Sequence, residues 1–266
     1  MQSKLLLQFL NIIGLIVVLV LNSLSNGSLV PGRTIGGISD TYPTLFTPAG
    51  MTFAIWGLIY LLLIGFVIYQ GRDMFSTTKI DMPFLRQIGP WFLISCFANS
   101  VWLFPWLYQR PLLALVLMLL LLGSLMMIYF QLEIGIQAVG RPEKWLVHAP
   151  FSLYLGWITV ATIANISIAL KASEWGGWGF SEDTWTMIMI SAAGVIGFAV
   201  ALFRSDLVYA LVIIWALYGI ITAREGGIES TGNERIILSA YVSMGMVLVG
   251  VVIGTLRAAP RLGYIQ

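Results

Sequence analysis

Residues 150–165 read PFSLYLGWITVATIAN. With its flanks, from Trp145 to Leu170, this apolar segment is long enough to cross a bilayer. It also carries Tyr154, Trp157, Ala161 and Asn165 at spacings of three, four and four. Those spacings put all four on one stripe of a helix. A carboxamide facing lipid would lose its water partners, so the stripe is expected to look into the protein. Similar stripes surround Trp56 and Asn99. The three are expected to meet around a pocket for a flat apolar ligand.

Outward from this stretch the composition is equally decisive. Apolar residues make up 59% of the chain and charged residues 10%, with a mean hydropathy of +0.91. A soluble domain carries roughly a quarter of its residues as charges. Here the charges cluster between apolar runs that match the roughly 20 residues needed to span the hydrocarbon core. The predicted fold is all-α, a multi-pass helical membrane bundle with eight transmembrane helices.

The expected spans are 5–24, 50–70, a third ending near Gln109, a fourth from Pro111 to about Glu133, then 145–170, 185–203, 207–223 and 236–256. The first run follows Lys4 and precedes a polar SLSNGS tail, features that a signal peptide shares. It is long for a signal core and has no clear small-x-small cleavage site, so it is read as the first span. Residues 25–48 form a long Gly-, Pro-, Ser- and Thr-rich loop, of the length that often serves as a lid. Arg110-Pro111 predicts a tight turn with proline in the first turn of the next helix. Arg204-Ser205-Asp206 reads as a second, solvated turn. Trp102 and Trp106 are expected to anchor the end of span three. The rings of KASEWGGWGFSEDTW, residues 171–185, are expected at headgroup level. His148 is expected to be solvated or capping. Gly250 and Gly254, and a weaker Ala193, Gly197, Ala201 series, are expected to pack helices closely within the bundle.

With the N-terminus inside, nine of the 14 Lys and Arg residues fall on the inner side. This favours two cytoplasmic termini in a plasma membrane, such as a bacterial inner membrane.

The residues on spans two, three and five resemble the TspO/MBR family, the tryptophan-rich sensory proteins related to the mitochondrial translocator protein. PAGMTFAIWGLIYLLLIGFVIY, residues 48–69, resembles that family's proline, Phe, Trp and Tyr pattern, with Trp56 and Tyr60 at the same spacing. NSVWLFPWLYQRP, residues 99–111, resembles its Asn-x-x-Trp and Arg-Pro turn. Pro150, Tyr154, Trp157, Ala161 and Asn165 are similar to its Pro-Tyr-Leu-x-Trp…Ala…Leu-Asn segment. The resemblance covers roughly residues 1–170 and leaves a three-helix extension, 171–266. The first loop departs from the pattern, keeping little more than Tyr42 and prolines in ISDTYPTLFTP.

The resemblance implies a five-helix domain, often homodimeric, that binds porphyrins, sterols and related molecules. It maps the pocket onto Trp56, Asn99, Trp157 and Ala161, and Tyr60, Tyr154 and Asn165 share the same stripes. Some members are said to break down porphyrin in light. No cofactor is required, and a tetrapyrrole enters as a ligand.

Several functions lack the residues they need. A net charge of +2 gives no reason to expect nucleic acid. A single His and a single Cys, Cys96, offer no zinc ligand set. No span carries Asp, Glu, Lys or Arg well inside, as ion-coupled transport usually needs, and there is no phosphate-binding loop. General acid–base catalysis would need titratable groups that this pocket lacks, so no catalytic residue is assigned. Partners are the bilayer, a small apolar ligand, and either a second copy or another membrane protein. A passive solute facilitator, or a structural subunit docking through its last helices, are the alternatives.

Overall fold

The computed structural model describes residues 2–25, 27–226 and 233–262. Among these, every regular element is helical. Seven helices are long and apolar enough to cross a membrane, and an eighth, Trp91–Leu107, is apolar but shorter. In lipid such a helix satisfies its backbone N–H and C=O groups internally. The chain is an integral membrane helical bundle.

It divides into two compact units, Met1–Tyr42 with Ile55–Ile158, and Pro43–Ala54 with Thr159–Gln266. The division falls inside the organising helix, ahead of residue 170.

In the first unit, α1 (Gln2–Leu24) buries Gln8, Asn11, Leu15 and Val18. These positions follow the three–four spacing of a helix face, and Lys4 and Asn22 continue it. α2 (Ile35–Thr41) is capped by the Thr34 side chain, which accepts from the Gly37 amide. α3 (Ile55–Gly71) buries Ile59, Leu63, Phe66 and Gln70. The polar end of α1 meets the end of α3. Gln8 Nε2 donates to the Gln70 carbonyl at 2.6 Å and to Asp73 Oδ1 at 2.9 Å. Asn11 Nδ2 donates to Gln70 Oε1 at 2.9 Å, and Lys4 pairs with Asp73 at 2.5 Å.

The expected third span is broken near its start. α4 (Pro83–Ile88) stops at Gly89, whose φ of 51° only glycine adopts freely. α5 (Trp91–Leu107) then runs 17 residues, about 25 Å at 1.5 Å per residue. It occupies the middle of the unit, and its Phe92 meets Phe66 and Phe151 edge to face at 5.2 and 5.8 Å.

Trp102 and Trp106 do not sit out at the interface. They are 9% and 5% exposed, stack at 5.1 Å, and Trp106 Nε1 donates to the Ile35 carbonyl at 3.1 Å. The indoles are drawn inward because α2 folds over the end of α5, where Arg33 also donates to the Leu107 carbonyl.

α6 (Pro111–Gln131) begins on Pro111, as the Arg-Pro pair predicts. α7 (Arg141–Glu143) passes through a π-helical turn, Lys144–His148, into α8 (Ala149–Ala172). That turn buries His148 to 6% exposure, so it is neither solvated nor a surface cap.

The second unit gathers the end of α8 with α9 (Glu182–Arg204), α10 (Leu207–Glu225) and α11 (Glu234–Leu262). Ser181 caps α9 and Asp206 caps α10 through their side chains. Asp206 is buried, and its Oδ1 accepts from the Tyr209 amide at 3.2 Å. The Arg204–Asp206 turn is therefore not simply solvated. The two small-residue series pack on each other. A Cβ at Gly254 would run into the Ala201 carbonyl oxygen, and one at Gly250 into Phe198. The end of the long first loop belongs to this unit and docks on α10: Ala49 N donates to the Gly219 carbonyl at 2.9 Å, and Trp215 Nε1 to that of Thr52 at 3.0 Å.

Candidate ligand-binding site

Four rings gather in the first unit from residues four apart on α3 and three apart on α8. Trp56 stacks on Tyr60 with centroids 5.5 Å apart and planes 27° from parallel. It meets Tyr154 edge-on at 5.9 Å and Trp157 at 6.5 Å. Tyr154 and Trp157 are 3% and 2% exposed, whereas Trp56 and Tyr60 are half-buried. Two of the rings are thus almost wholly buried and two are partly exposed.

A chain of side-chain hydrogen bonds backs the cluster. Asn22 Nδ2, on α1, donates to Asn99 Oδ1 at 2.8 Å and to the Val18 carbonyl at 2.9 Å. Asn99 Nδ2, on α5, donates to the Tyr154 hydroxyl at 2.9 Å. With its oxygen accepting from Asn99, the phenol keeps its own hydrogen as a donor. Beside Asn99 in sequence, Ser100 buries a hydroxyl that meets no partner among the described residues.

The structure thus brings together Trp56, Tyr60, Asn99, Tyr154 and Trp157. Asn99 is committed to two neighbours rather than aimed at open space. Ala161 and Asn165 follow on α8 but belong to the second unit. There Ala161 is half-buried, and Asn165 Nδ2 donates to the Ala161 carbonyl of its own helix at 2.9 Å. Asn22 was missed as a site residue. Its signal is the spacing from Gln8 and Asn11 through Leu15 and Val18, which puts a second amide on the buried face of a run that looks simply apolar.

A cavity of about 300 Å³ lies elsewhere, in the second unit, lined by residues of α8, α9 and the Trp-rich loop between them, with Thr44 from the first loop.

A helical membrane bundle with paired tryptophans on two spans and an amide on a third defines the class. Comparison then supplies the family. The model described as TSPO-like protein matches residues 8–253, and the chain belongs to that family. The match takes in α9 and α10 and most of α11, well beyond residue 170. No curated protein and no solved structure matches the chain.

Proposed function

We propose that this TSPO-like membrane protein binds a flat apolar ligand, of tetrapyrrole or sterol type, on the aromatic cluster of the first unit. The observation that carries the reading is the convergence of Trp56, Tyr60, Tyr154 and Trp157 in front of the Asn22–Asn99–Tyr154 chain. Rigid rings supply dispersion and stacking at little entropic cost, and a single oriented donor fixes a polar edge. Trp56 and Tyr60 form the platform. Tyr154 and Trp157 hold Trp56 in place, and the Tyr154 hydroxyl is the donor. All of these groups come from one unit of the chain. The distribution of Lys and Arg supports an orientation with both termini on the cytoplasmic side of a plasma membrane.

Titration of the purified protein with protoporphyrin, followed through tryptophan fluorescence and the porphyrin absorbance band, tests the reading. Saturable quenching is expected, weakened by Trp56→Ala. A flat titration of folded protein would overturn it and leave the facilitator and subunit readings. Loss of porphyrin absorbance only in light and only with protein would add a photochemical activity.

A further inference from the structure

The cavity in the second unit is built from the end of α8, the loop that follows and the first turns of α9. The helix closes with the Ser173 and Trp175 amides bonded back to the Ala169 and Leu170 carbonyls. The loop then coils through positive φ at Glu174, Gly177, Trp178 and Gly179. This coil brings Trp175 to 5.3 Å from Trp178 and 4.9 Å from Trp185. Trp185 Nε1 donates to the Gly177 carbonyl at 2.8 Å, clamping α9 to the loop. The lining changes along its length. Leu170 and Met189 make it apolar where the spans begin, Trp175, Phe180 and Trp185 give it aromatic walls, and Lys171 and Glu182 bring opposite charges.

Lys171 Nζ lies 3.1 and 3.3 Å from the two Glu182 oxygens and also donates to the Pro43 carbonyl. Both charged side chains are well exposed, at 40% and 49%, so the pair adds little to stability and opens easily. A purely anionic guest would take Lys171 from Glu182 and leave it only the charge of Arg224 nearby. A purely cationic guest would take Glu182 from Lys171. A zwitterion replaces one internal pair by two new ones and strands neither charge. The aromatic walls add a cation–π surface for its ammonium. Trp178 and Phe180, 79% and 58% exposed, crown the loop with rings suited to the headgroup layer. The spans entering the cavity place it where membrane lipid is the abundant zwitterion.

We propose that this cavity seats the headgroup of a zwitterionic phospholipid, its phosphate on Lys171 and its ammonium against Glu182, Trp175 and Trp185. The acyl chains leave along Leu170 and Met189. The site is separate from the aromatic cluster of the first unit and stands whether or not that cluster binds a tetrapyrrole.

The test is retention of lipid by the full chain. Protein is reconstituted in nanodiscs holding equal phosphatidylethanolamine and phosphatidylglycerol, re-extracted and washed, and the bound lipid identified by mass spectrometry. Phosphatidylethanolamine is expected to be enriched, and Glu182→Gln to lower that enrichment about fivefold, the weight of one partly exposed charge contact. Lys171→Gln is expected to lower retention of both lipids, and circular dichroism melting checks that each variant folds. Equal retention of the two lipids, or enrichment unchanged in both variants, would overturn the proposal. So would displacement of the lipid by an equal concentration of soluble phosphoethanolamine, which would make the site one for a free zwitterion.

Discussion

The Asn99 carboxamide donates to the Tyr154 hydroxyl across 2.9 Å and ties the central α5 to α8. Both groups are almost wholly buried. Replacing Tyr154 by Phe removes the acceptor and leaves an amide hydrogen without a partner in a dry interior. Interhelical bonds of this kind are worth about 1 kcal/mol in membranes. Tyr154→Phe should therefore melt a few degrees lower in detergent, about 2–4 °C per kcal/mol for a chain of this size. Asn22→Ala should cost a similar amount, since it removes the donor to Asn99 Oδ1. An unchanged melting temperature in both would mean that the chain does not hold the helices.

The two indoles should separate binding from folding. Trp56 is half-buried and its ring stacks on Tyr60, so Trp56→Leu should weaken protoporphyrin binding about tenfold with little change in melting. Trp157 is 2% exposed, and truncating so large a buried ring costs about 3–5 kcal/mol. Trp157→Ala should therefore lose stability first and binding with it. Parallel fluorescence titration and thermal melts check this, and equal losses of stability in the two variants would contradict the division into platform and buried support.

The bundle and much of the cluster were legible because bilayer physics is coarse and strict. A run near 20 apolar residues has few alternatives to a helix, and residues three or four apart on one helix, such as Trp56 and Tyr60 or Tyr154 and Trp157, must share a face. Partners from other helices were not legible. Nothing local in the sequence says that Asn22 reaches Asn99, or that Gln8 and Asn11 meet Gln70 and Asp73. Average hydropathy hides a polar stripe inside an apolar run, although the spacing of Lys4, Gln8 and Asn11 marks one. Trp102, Trp106 and His148 misled for a related reason. Amphipathic side chains near span ends fit an interface until another element, here α2 or a π turn, covers them. Ala161 and Asn165 follow Trp157 on the same helix, past the point where α8 runs from one unit into the other.

Close packing of α9 against α11 gives a contrast within one helix. A methyl group at Gly254 has no room beside the Ala201 carbonyl, while one at Gly245 meets nothing within 4 Å. Gly254→Ala should force the helices apart and destabilise by about 1–3 kcal/mol. Gly245→Ala should be neutral or slightly stabilising, because alanine is the better helix former by up to about 1 kcal/mol. Thermal melts of the two variants should shift in opposite directions, or at least differ clearly in size. Equal shifts would mean that the α9–α11 contact is not sterically limited.

Asp73 carries a pH dependence whose sign follows from its surroundings. Burial alone would raise its carboxyl. Hydrogen bonds from Lys4, Gln8 and the Ile80 amide, with the Lys4 charge, outweigh burial and hold it below the ordinary carboxylate range. A carboxylate with a depressed folded-state value binds protons more readily when unfolded. Its stabilising contribution is complete above the unfolded value, about 4, and is lost as pH falls from there through the folded value. The melting temperature should therefore drop between pH 5 and lower values. Asp73→Asn should already be less stable at pH 7, by about 1–3 kcal/mol for the lost charged hydrogen bonds, and should lose less on acidification. A variant whose acid sensitivity matched the parent would show that the Lys4–Asp73 pair does not hold α1 to the end of α3.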